Sequence, residues 1–267
     1  MKVTFAVLDE QIASSRLRAK IPQAELKKLG IEQGRDVLIY GKSVVTIEQV
    51  RRFKHSIYDV CDDHYDQPEL MDYYRKHTAE ADAVTCNSEV MRERIKQVTG
   101  RDAVVIKEPY ESDELKPSIG AFLLWFGHRS NLVDLDRIAP KLKHPILALS
   151  NHPDCAEWTE QSFRKAISSE CIVIIPTGKS LAKSENRMVE SIRNGKYVCA
   201  EHLPSYEPFA QFFPLGDIPA QIEWALGNPT EALAQISKAQ SYIKQIYSPE
   251  QIGRDWLRVL NDNFDKR

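Results

Sequence analysis

The sequence predicts an α/β fold of two Rossmann-like lobes followed by C-terminal helices. Short apolar runs alternate with longer segments of helical periodicity from residue 3 to residue 200, a pattern typical of parallel sheets with crossover helices. The stretch 107–120 interrupts this alternation, because it is acidic, carries two prolines and lacks periodicity, as a linker does. About five predicted strands precede this linker and four follow it.

The predicted elements follow the spacing of apolar residues. Strands are predicted at short apolar runs: 3–8, 36–40, 56–60, 82–86, 103–106, 121–126, 145–149, 171–175 and 197–200. Helices are predicted where apolar residues recur every three to four positions: 15–29, 46–53, 67–79, 88–98, 132–142, 157–168 and 185–194. The chain is helical in pattern from 217 onward. We therefore expect a first lobe over 1–110, a second over 120–245 and a helix over 246–267.

Composition is that of an ordinary globular protein. Hydrophobic residues make up 42% and charged residues 28% of the 267 positions. The formal net charge of −2 gives no electrostatic basis for a nucleic-acid partner, so none is expected. The five cysteines are odd in number and lack metal-ligand spacing, which predicts buried thiols in a reducing cytoplasm.

The sequence predicts no membrane-spanning segment. No apolar run approaches the roughly 18 residues that a transmembrane helix needs. The apolar run 3–8 is too short for a signal peptide and leads directly into Asp9 and Glu10, so we predict a buried strand there. We expect a cytoplasmic protein, for which peripheral membrane contact stays open.

The most informative segment runs from 183 to 198, between two apolar runs. On a helix, four of its polar residues fall at i, i+3, i+4 and i+7 and form one stripe: Lys183, Asn186, Arg187 and Glu190. A helix N-terminus favours anions, so the cations of this stripe suit phosphate groups and the carboxylate suits ribose hydroxyls. The alternative is a solvated helix face.

The same segment resembles the donor-binding helix of glycosyltransferases with the GT-B fold, in particular short bacterial members of glycosyltransferase family 4, also called group 1. Glu190-Ser191-Ile192-Arg193-Asn194-Gly195-Lys196-Tyr197-Val198 takes the place of a family phrase that opens with Glu and continues Gly-x-Pro-Val-Val. The preceding Lys-Ser-x-Asn-Arg is also similar to one in that family. The resemblance implies two lobes across a cleft, with the nucleotide-sugar on the second lobe. It places these residues at the nucleotide: Lys183, Ser184, Asn186, Arg187 and Glu190.

One position departs from the family pattern. Many retaining members carry a first Glu eight positions before the second, and here that position is Ala182. Glu185 is nearby, but at a different helical phase. The stereochemical outcome, retaining or inverting, and full catalytic activity therefore stay open.

A glycine-containing loop follows the first predicted strand of the second lobe. Gly127 lies at the turn from strand to helix, where a glycine lets a ligand approach the backbone closely. Similar enzymes place this loop against the phosphates of the sugar donor, and Arg129 would add positive charge; the alternative is a plain turn. GxGxxG and P-loop motifs are absent from the sequence, so a dehydrogenase or NTPase loses its main support.

Acidic groups and a histidine follow a first-lobe strand. Asp62, Asp63 and His64 come after the predicted strand 56–60, and doubly wound sheets bind ligands beyond the carboxyl ends of their strands. We predict that they bind the acceptor and that one acts as general base toward its hydroxyl. The alternative is that the two aspartates cap the next helix and His64 is solvated. The Asp-x-Asp metal motif is absent here, so no metal is expected.

The loop after the first strand carries serines and arginines. Ser14 or Ser15 is predicted to cap the next helix. Glycosyltransferases similar to this chain use this loop on the acceptor side, so Ser15 and Arg16 are predicted to meet an anionic acceptor or the donor diphosphate. The alternative is exposed arginines, which Arg18 fits better than Arg16.

The resemblance, together with these residues, implies a glycosyltransferase that moves a sugar from a nucleotide-sugar to a saccharide or other hydroxyl acceptor, in envelope polysaccharide or glycoconjugate synthesis. A UDP- or GDP-sugar is expected as co-substrate, with no further cofactor and no metal. Two alternatives are a nucleotide-sugar epimerase of the same fold and a catalytically degenerate binding protein, which transfer or donor-hydrolysis assays would separate.

Overall fold

The computed structural model describes residues 1–6, 12–42, 45–178 and 182–264, and these residues divide into two compact units. Unit 1 draws its residues from Met1–Glu111, Ala182–Ser184 and Ile246–Arg267. Unit 2 draws its residues from Ser112–Leu181 and Glu185–Gln245. Each unit contains one parallel sheet with helices between its strands.

Unit 1 has a six-stranded parallel sheet in the order β2-β1-β3-β4-β5-β6. Its strands are β1 (Lys2–Phe5), β2 (Glu32–Gln33), β3 (Val37–Tyr40), β4 (His55–Val60), β5 (Ala83–Cys86) and β6 (Val104–Val105). Its first helices are α1 (Ala13–Ser15), a π-helical turn (Arg16–Lys20), α2 (Ile21–Lys28), α3 (Ile47–Val50), α4 (Met71–Glu80) and α5 (Glu89–Thr99). Ser88 caps α5, because its hydroxyl accepts a hydrogen bond from the backbone N–H of Met91 at 3.2 Å.

Unit 2 has a five-stranded parallel sheet in the order β11-β10-β7-β8-β9. Its strands are β7 (Phe122–Phe126), β8 (Ile146–Ser150), β9 (Ala156–Glu157), β10 (Cys171–Ile175) and β11 (Tyr197–Ala200). Its helices are α6 (Leu132–Ile138), α7 (Glu160–Ile167), α8 (Asn186–Arg193), α9 (Ile218–Gly227) and α10 (Pro229–Ile246), with 3-10 turns at Arg129–Asn131, Ala139–Lys141 and Pro204–Phe209. Strands β10 and β11 are buried throughout, as expected for parallel strands covered on both faces.

The last helix, α11 (Pro249–Phe264), belongs to unit 1 and packs against α2. The helices approach closely at Gly253, where a Cβ atom would lie 2.5 Å from Cβ of Glu25. Trp256 is fully buried, and its ring meets the Phe5 ring edge-on at 5.6 Å. Alternation along β3 sends Val37 and Ile39 to this side of the sheet.

The fold class predicted from the sequence, α/β with two lobes and C-terminal helices, is confirmed. All nine predicted strands are present, with boundaries shifted by at most three residues, and the predicted strand 3–8 runs into residues outside the described ranges. Two strands were not predicted, β2 and β9, because each has two exposed residues and no apolar run. No helix in the described ranges combines the length and apolarity that a bilayer crossing requires.

The other face of the unit 1 sheet carries an aromatic cluster that encloses a histidine. His77 is 2% exposed, its ring stacks on Tyr73 at 3.9 Å, and its Nδ1 lies 3.1 Å from the Tyr40 hydroxyl. Burial and, to a smaller extent, the positive charge of Lys76 lower the pKa of His77 to about 4. The folded protein therefore holds this imidazole neutral at pH values where the unfolded chain binds a proton.

This difference predicts an acid-sensitive contribution to stability. Since the pKa of His77 is lower in the folded state than the unfolded value of about 6.5, stability should fall as pH falls through this window, by about 2–3 kcal/mol in total. We expect His77→Phe to flatten the dependence of the unfolding free energy on pH between about 6 and about 4. Urea titrations at several pH values measure the dependence of the unfolding free energy on pH. The control is His128→Ala, at an exposed position. An unchanged slope in His77→Phe would contradict the prediction.

Candidate functional site

The strand order of unit 2 defines where a ligand is expected. The chain proceeds from β7 through β8 to β9 on one side, and then places β10 and β11 on the other side of β7. This reversal creates a crevice beyond the carboxyl ends of β7 and β10, the position at which doubly wound sheets bind ligands. The loop at Gly127 follows β7, so the predicted phosphate-side glycine lies at this switch point.

Arg187, on the first turn of α8, reaches this point. Its Nη1 donates to the Phe126 carbonyl oxygen at 3.4 Å, and a Cβ atom on Gly127 would lie 3.4 Å from the same nitrogen. The positive charge of Arg187 also acts on the buried phenol of Tyr206. Burial raises the pKa of Tyr206, which the Arg187 charge opposes, so the phenol stays neutral beside the cation. The structure thus brings together Gly127 and Arg187, two residues that the sequence analysis placed at the nucleotide.

Glu190 lies one turn after Arg187 on α8 and is 8% exposed. Its Oε1 accepts hydrogen bonds from the Ser112 hydroxyl and from Nδ2 of Asn194, the latter at 3.3 Å. The opposite face of α8 packs into the core as predicted, with these residues fully buried: Met188, Val189 and Ile192. Sequence analysis missed both hydrogen-bond donors to Glu190. The i,i+4 spacing would have found Asn194, but nothing in the sequence marks Ser112.

The predicted four-residue stripe is only partly helical. α8 begins at Asn186 with Glu185 at its N-cap, so Lys183 and Ser184 precede the helix. The prediction that Lys183 extends the helical stripe is therefore wrong, because the backbone at Lys183 is not helical. Asn186 and Arg187 remain on the first turn and are half-buried.

Arg129 lies on the 3-10 turn after Gly127 and is exposed. Its backbone N–H donates to Oδ1 of Asn151 at 2.8 Å, which ties the loops after β7 and β8 together.

The loop after β11 is fixed by Glu201, whose carboxylate accepts from Arg137 at 2.6 and 2.8 Å and from the backbone N–H of Thr177 at 2.8 Å. Burial opposes ionisation of Glu201, but the charge and hydrogen bonds of Arg137 and the hydrogen bonds from Thr177 together lower the pKa of the carboxyl.

The switch point of unit 1 lies between β1 and β3, because β2 pairs on one side of β1 and the remaining strands follow on the other. A small cavity of about 30 Å³ lies at this edge and is lined in part by Ser15, Arg18, Lys42 and Asp59. Lys42 has a φ of 54°, which makes it a non-glycine residue in the left-handed region. Such conformations cost about 1–3 kcal/mol and cluster at functional sites.

Arg18 does not occupy the exposed position that the sequence suggested. It is 5% exposed, and its guanidinium forms a bidentate pair with Asp59 at 2.6 and 2.9 Å. Thr85 donates to the same carboxylate at 2.7 Å, and the guanidinium lies 5.8 Å from the Trp256 ring centre. Burial alone would lower the pKa of Arg18, but the charge and hydrogen bonds of Asp59, together with the charge of Glu108, raise it above its usual value. The pair is a buried structural element.

The three predicted catalytic residues differ in their surroundings. The Asp62 side chain is 44% exposed and its carboxylate lies 2.9 Å from Lys42 Nζ. Burial would lower the pKa of Lys42, but the Asp62 charge raises it. Asp63 accepts from Arg94 at 3.1 Å, and the His64 ring meets Tyr74 edge-on at 5.1 Å.

Neither Asp62 nor Asp63 caps the next helix, as the alternative interpretation supposed. α4 begins only at Met71, its N-cap position is Leu70, and no side chain caps it. Ser14 and Ser15 also do not cap a helix, because α1 begins at Ala13 and both serines lie inside it. Ser15 is buried against the cavity, and Arg16 forms a bidentate pair with Glu111 at 2.7 and 3.0 Å.

Two solved structures resemble the chain over most of its length. Anabaena HepE in complex with UDP-glucose superposes with a TM-score of 0.63 at 14% identity, over 91% of this chain and 81% of HepE. S. aureus TarM, as a point mutant in complex with fondaparinux, α-GlcNAc-glycerol and UDP, superposes with a TM-score of 0.60 at 14% identity. That match covers 84% of this chain and 55% of the TarM chain, so the chain spans just over half of TarM.

Both neighbours are glycosyltransferases of GT-B type. The chain has the GT-B fold. No family model and no curated protein sequence matches it, so membership of glycosyltransferase family 4 stays a prediction. Within the GT-B fold, Gly127, Arg187 and Glu190 lie in one unit beside its switch point, and Asp62, Asp63 and His64 lie in the other unit.

Proposed function

We propose that the chain is a glycosyltransferase that uses a nucleotide-sugar, with a UDP-sugar as the first candidate, and transfers the sugar to a saccharide or other hydroxyl acceptor. The observation that carries the proposal is the position of Arg187, whose guanidinium lies against Gly127 at the unit 2 switch point. The GT-B neighbours that were solved with UDP or UDP-glucose support the choice of nucleotide. Synthesis of envelope polysaccharide or glycoconjugate is the proposed setting.

In the proposed mechanism, Arg187 offsets the negative charge that develops on the departing diphosphate. The Phe126 carbonyl accepts from one of the five N–H donors of the guanidinium. Preorganised charge of this kind lowers the barrier, because the protein does not have to reorganise during bond cleavage. Glu190, one turn further along α8, binds the ribose hydroxyls.

The acceptor is assigned to unit 1, at the carboxyl edge of β4. A carboxylate or imidazole there would remove the proton from the attacking hydroxyl. Asp62 is a stronger candidate than Asp63, because the Asp62 side chain is 44% exposed and that of Asp63 is 26% exposed. Ser15 lines the cavity at the neighbouring edge.

Calorimetric titration of the protein with UDP, GDP, ADP and dTDP tests the proposal, and Arg187→Ala tests its central residue. Arg187→Ala should weaken UDP binding about 10- to 150-fold, which is the effect of losing a charge-assisted contact worth about 1.5–3 kcal/mol. Uridine lacks the diphosphate, so its affinity should remain close to wild type. Arg164→Ala removes an exposed arginine on α7 and serves as the matched control. Equal weakening of UDP and uridine would place Arg187 away from the phosphates.

A second candidate function is nucleotide binding without transfer. Ala182, which replaces the family's first Glu, is 9% exposed and lies in the apolar cluster of unit 1, so this position supplies no acidic group. A degenerate binding protein would bind UDP but would neither hydrolyse nor transfer sugar from UDP-glucose. Release of UDP in the presence of saccharide acceptors separates the two functions.

A further inference from the structure

The segment 112–118, named here the docked linker, is bound along α8 and the turn after it. The backbone N–H of Leu115 donates to the Arg193 carbonyl oxygen at 3.1 Å, and that of Ser118 donates to the Gly195 carbonyl oxygen at 2.9 Å. Sequence composition predicts a free linker here, but backbone hydrogen bonds join it to the end of α8. The docked linker therefore belongs to the structure of unit 2.

Gly195 makes this close approach possible. Its φ is +70°, and a Cβ atom there would lie 2.4 Å from the Lys116 carbonyl oxygen. Only glycine satisfies both conditions, since other residues would be strained in the left-handed region and would clash with the docked linker. The glycine that the sequence places between α8 and β11 thus accommodates the linker.

Side chains hold the docked linker from two helices. Arg193 on α8 donates through Nε to the Ser112 carbonyl oxygen at 3.1 Å and pairs with the Glu114 carboxylate. Gln240 on α10 donates through Nε2 to the Leu115 carbonyl oxygen at 2.8 Å. Ser112 is consequently fixed in position through its backbone, and its hydroxyl is directed at Glu190.

The Glu190 carboxylate is nearly buried, so its orientation depends on its hydrogen bonds. Oε1 accepts hydrogen bonds from both the Ser112 hydroxyl and the Asn194 amide. Ser112 precedes α8 in the sequence, and Asn194 follows it. These two hydrogen bonds to Oε1 therefore orient the carboxylate.

We infer that Ser112 is a positioning residue for recognition of the ribose of the nucleotide, acting through the Glu190 carboxylate. The inference rests on the proposed function, because it assigns Glu190 to the ribose. The Ser112 hydroxyl orients that carboxylate, and the backbone contacts of the docked linker hold Ser112 in place. The ligand chemistry is the 2′,3′-diol of a nucleoside diphosphate.

The test compares the affinities of UDP and 2′,3′-dideoxy-UDP by calorimetry in wild type, Ser112→Ala, Ser112→Cys and Ser112→Thr. Loss of the hydroxyl should reduce the preference for UDP by about threefold to tenfold, the effect of one hydrogen bond. Ser112→Cys keeps the side-chain size with a weak donor and should behave as Ser112→Ala does. Ser112→Thr keeps the hydroxyl and should restore the preference. Ser237→Ala, at an exposed serine on α10, is the control.

A purely structural role for Ser112 would weaken both nucleotides in parallel and leave their ratio at the wild-type value, which overturns the inference. If wild type binds UDP but does not distinguish it from the dideoxy form, Glu190 is not at the ribose and the inference is also overturned. If wild type binds no nucleoside diphosphate, the proposed function itself fails. These outcomes are distinct, since the first two require measurable binding of UDP.

Discussion

Asp62→Asn is expected to lower the turnover number for sugar transfer by about 10²–10⁴-fold while leaving UDP affinity near wild type. Removal of the general base slows proton transfer, but Asp62 lies in unit 1 and the proposed nucleotide residues lie in unit 2. The amide keeps the shape of the side chain and loses its basicity. Steady-state kinetics with a UDP-sugar and a saccharide acceptor measure the loss, and calorimetry measures UDP binding.

Residues near Asp62 provide a control variant and two alternative candidates for the general base. Asp66→Asn alters a carboxylate that is 79% exposed and pairs with Arg94, so it should transfer sugar at the wild-type rate. His64→Ala and Asp63→Asn test the other two predicted residues. A full loss in His64→Ala with normal Asp62→Asn would move the base to His64. Loss of UDP binding in any of these variants would contradict the division of roles between the two units.

Asp59→Ala is expected to lower the unfolding free energy by about 3–5 kcal/mol, because it leaves the Arg18 guanidinium buried without its counter-charge. Arg18 is 5% exposed, and its guanidinium lies 5.8 Å from the Trp256 ring centre. Asp36→Ala, which breaks an exposed pair with Lys54, is the control and should cost at most about 1 kcal/mol. Urea denaturation measures both variants.

The double variant Arg18→Met with Asp59→Leu separates charge from packing. Replacement of a buried ion pair by apolar residues is often neutral or stabilising, so the double variant should be more stable than Asp59→Ala alone. A loss of less than about 1 kcal/mol in Asp59→Ala would show that Arg18 finds another counter-charge.

The sequence predicts those parts of the fold that depend on local pattern. The apolar runs of β7, β10 and β11 identify buried parallel strands, and Ser88 identifies a helix start. β2 and β9 escape prediction, because two exposed residues at a sheet edge carry no periodic signal.

The candidate site is predictable only where its residues share one helix. Arg187 and Glu190 are three positions apart, so their common face follows from helical geometry. Arg18 and Asp59 are 41 residues apart, and Ser112 and Glu190 are 78 apart, so only the folded chain brings each pair together. The charge pattern of the sequence suggested that Arg18 is exposed. In the folded protein, the ion pair with Asp59 makes Arg18 part of the core.

Unit 1 is discontinuous along the chain, because α11 completes it only after all of unit 2. On the ribosome, the face formed by Val3, Phe5 and Val37 emerges before unit 2, whereas Trp256 and Leu260, which cover it, emerge after unit 2. Domains usually fold in the order of their synthesis. In this chain, unit 1 begins before unit 2 but is completed only after it. The nascent N-terminal unit should therefore remain accessible to chaperones and proteases until unit 2 has folded.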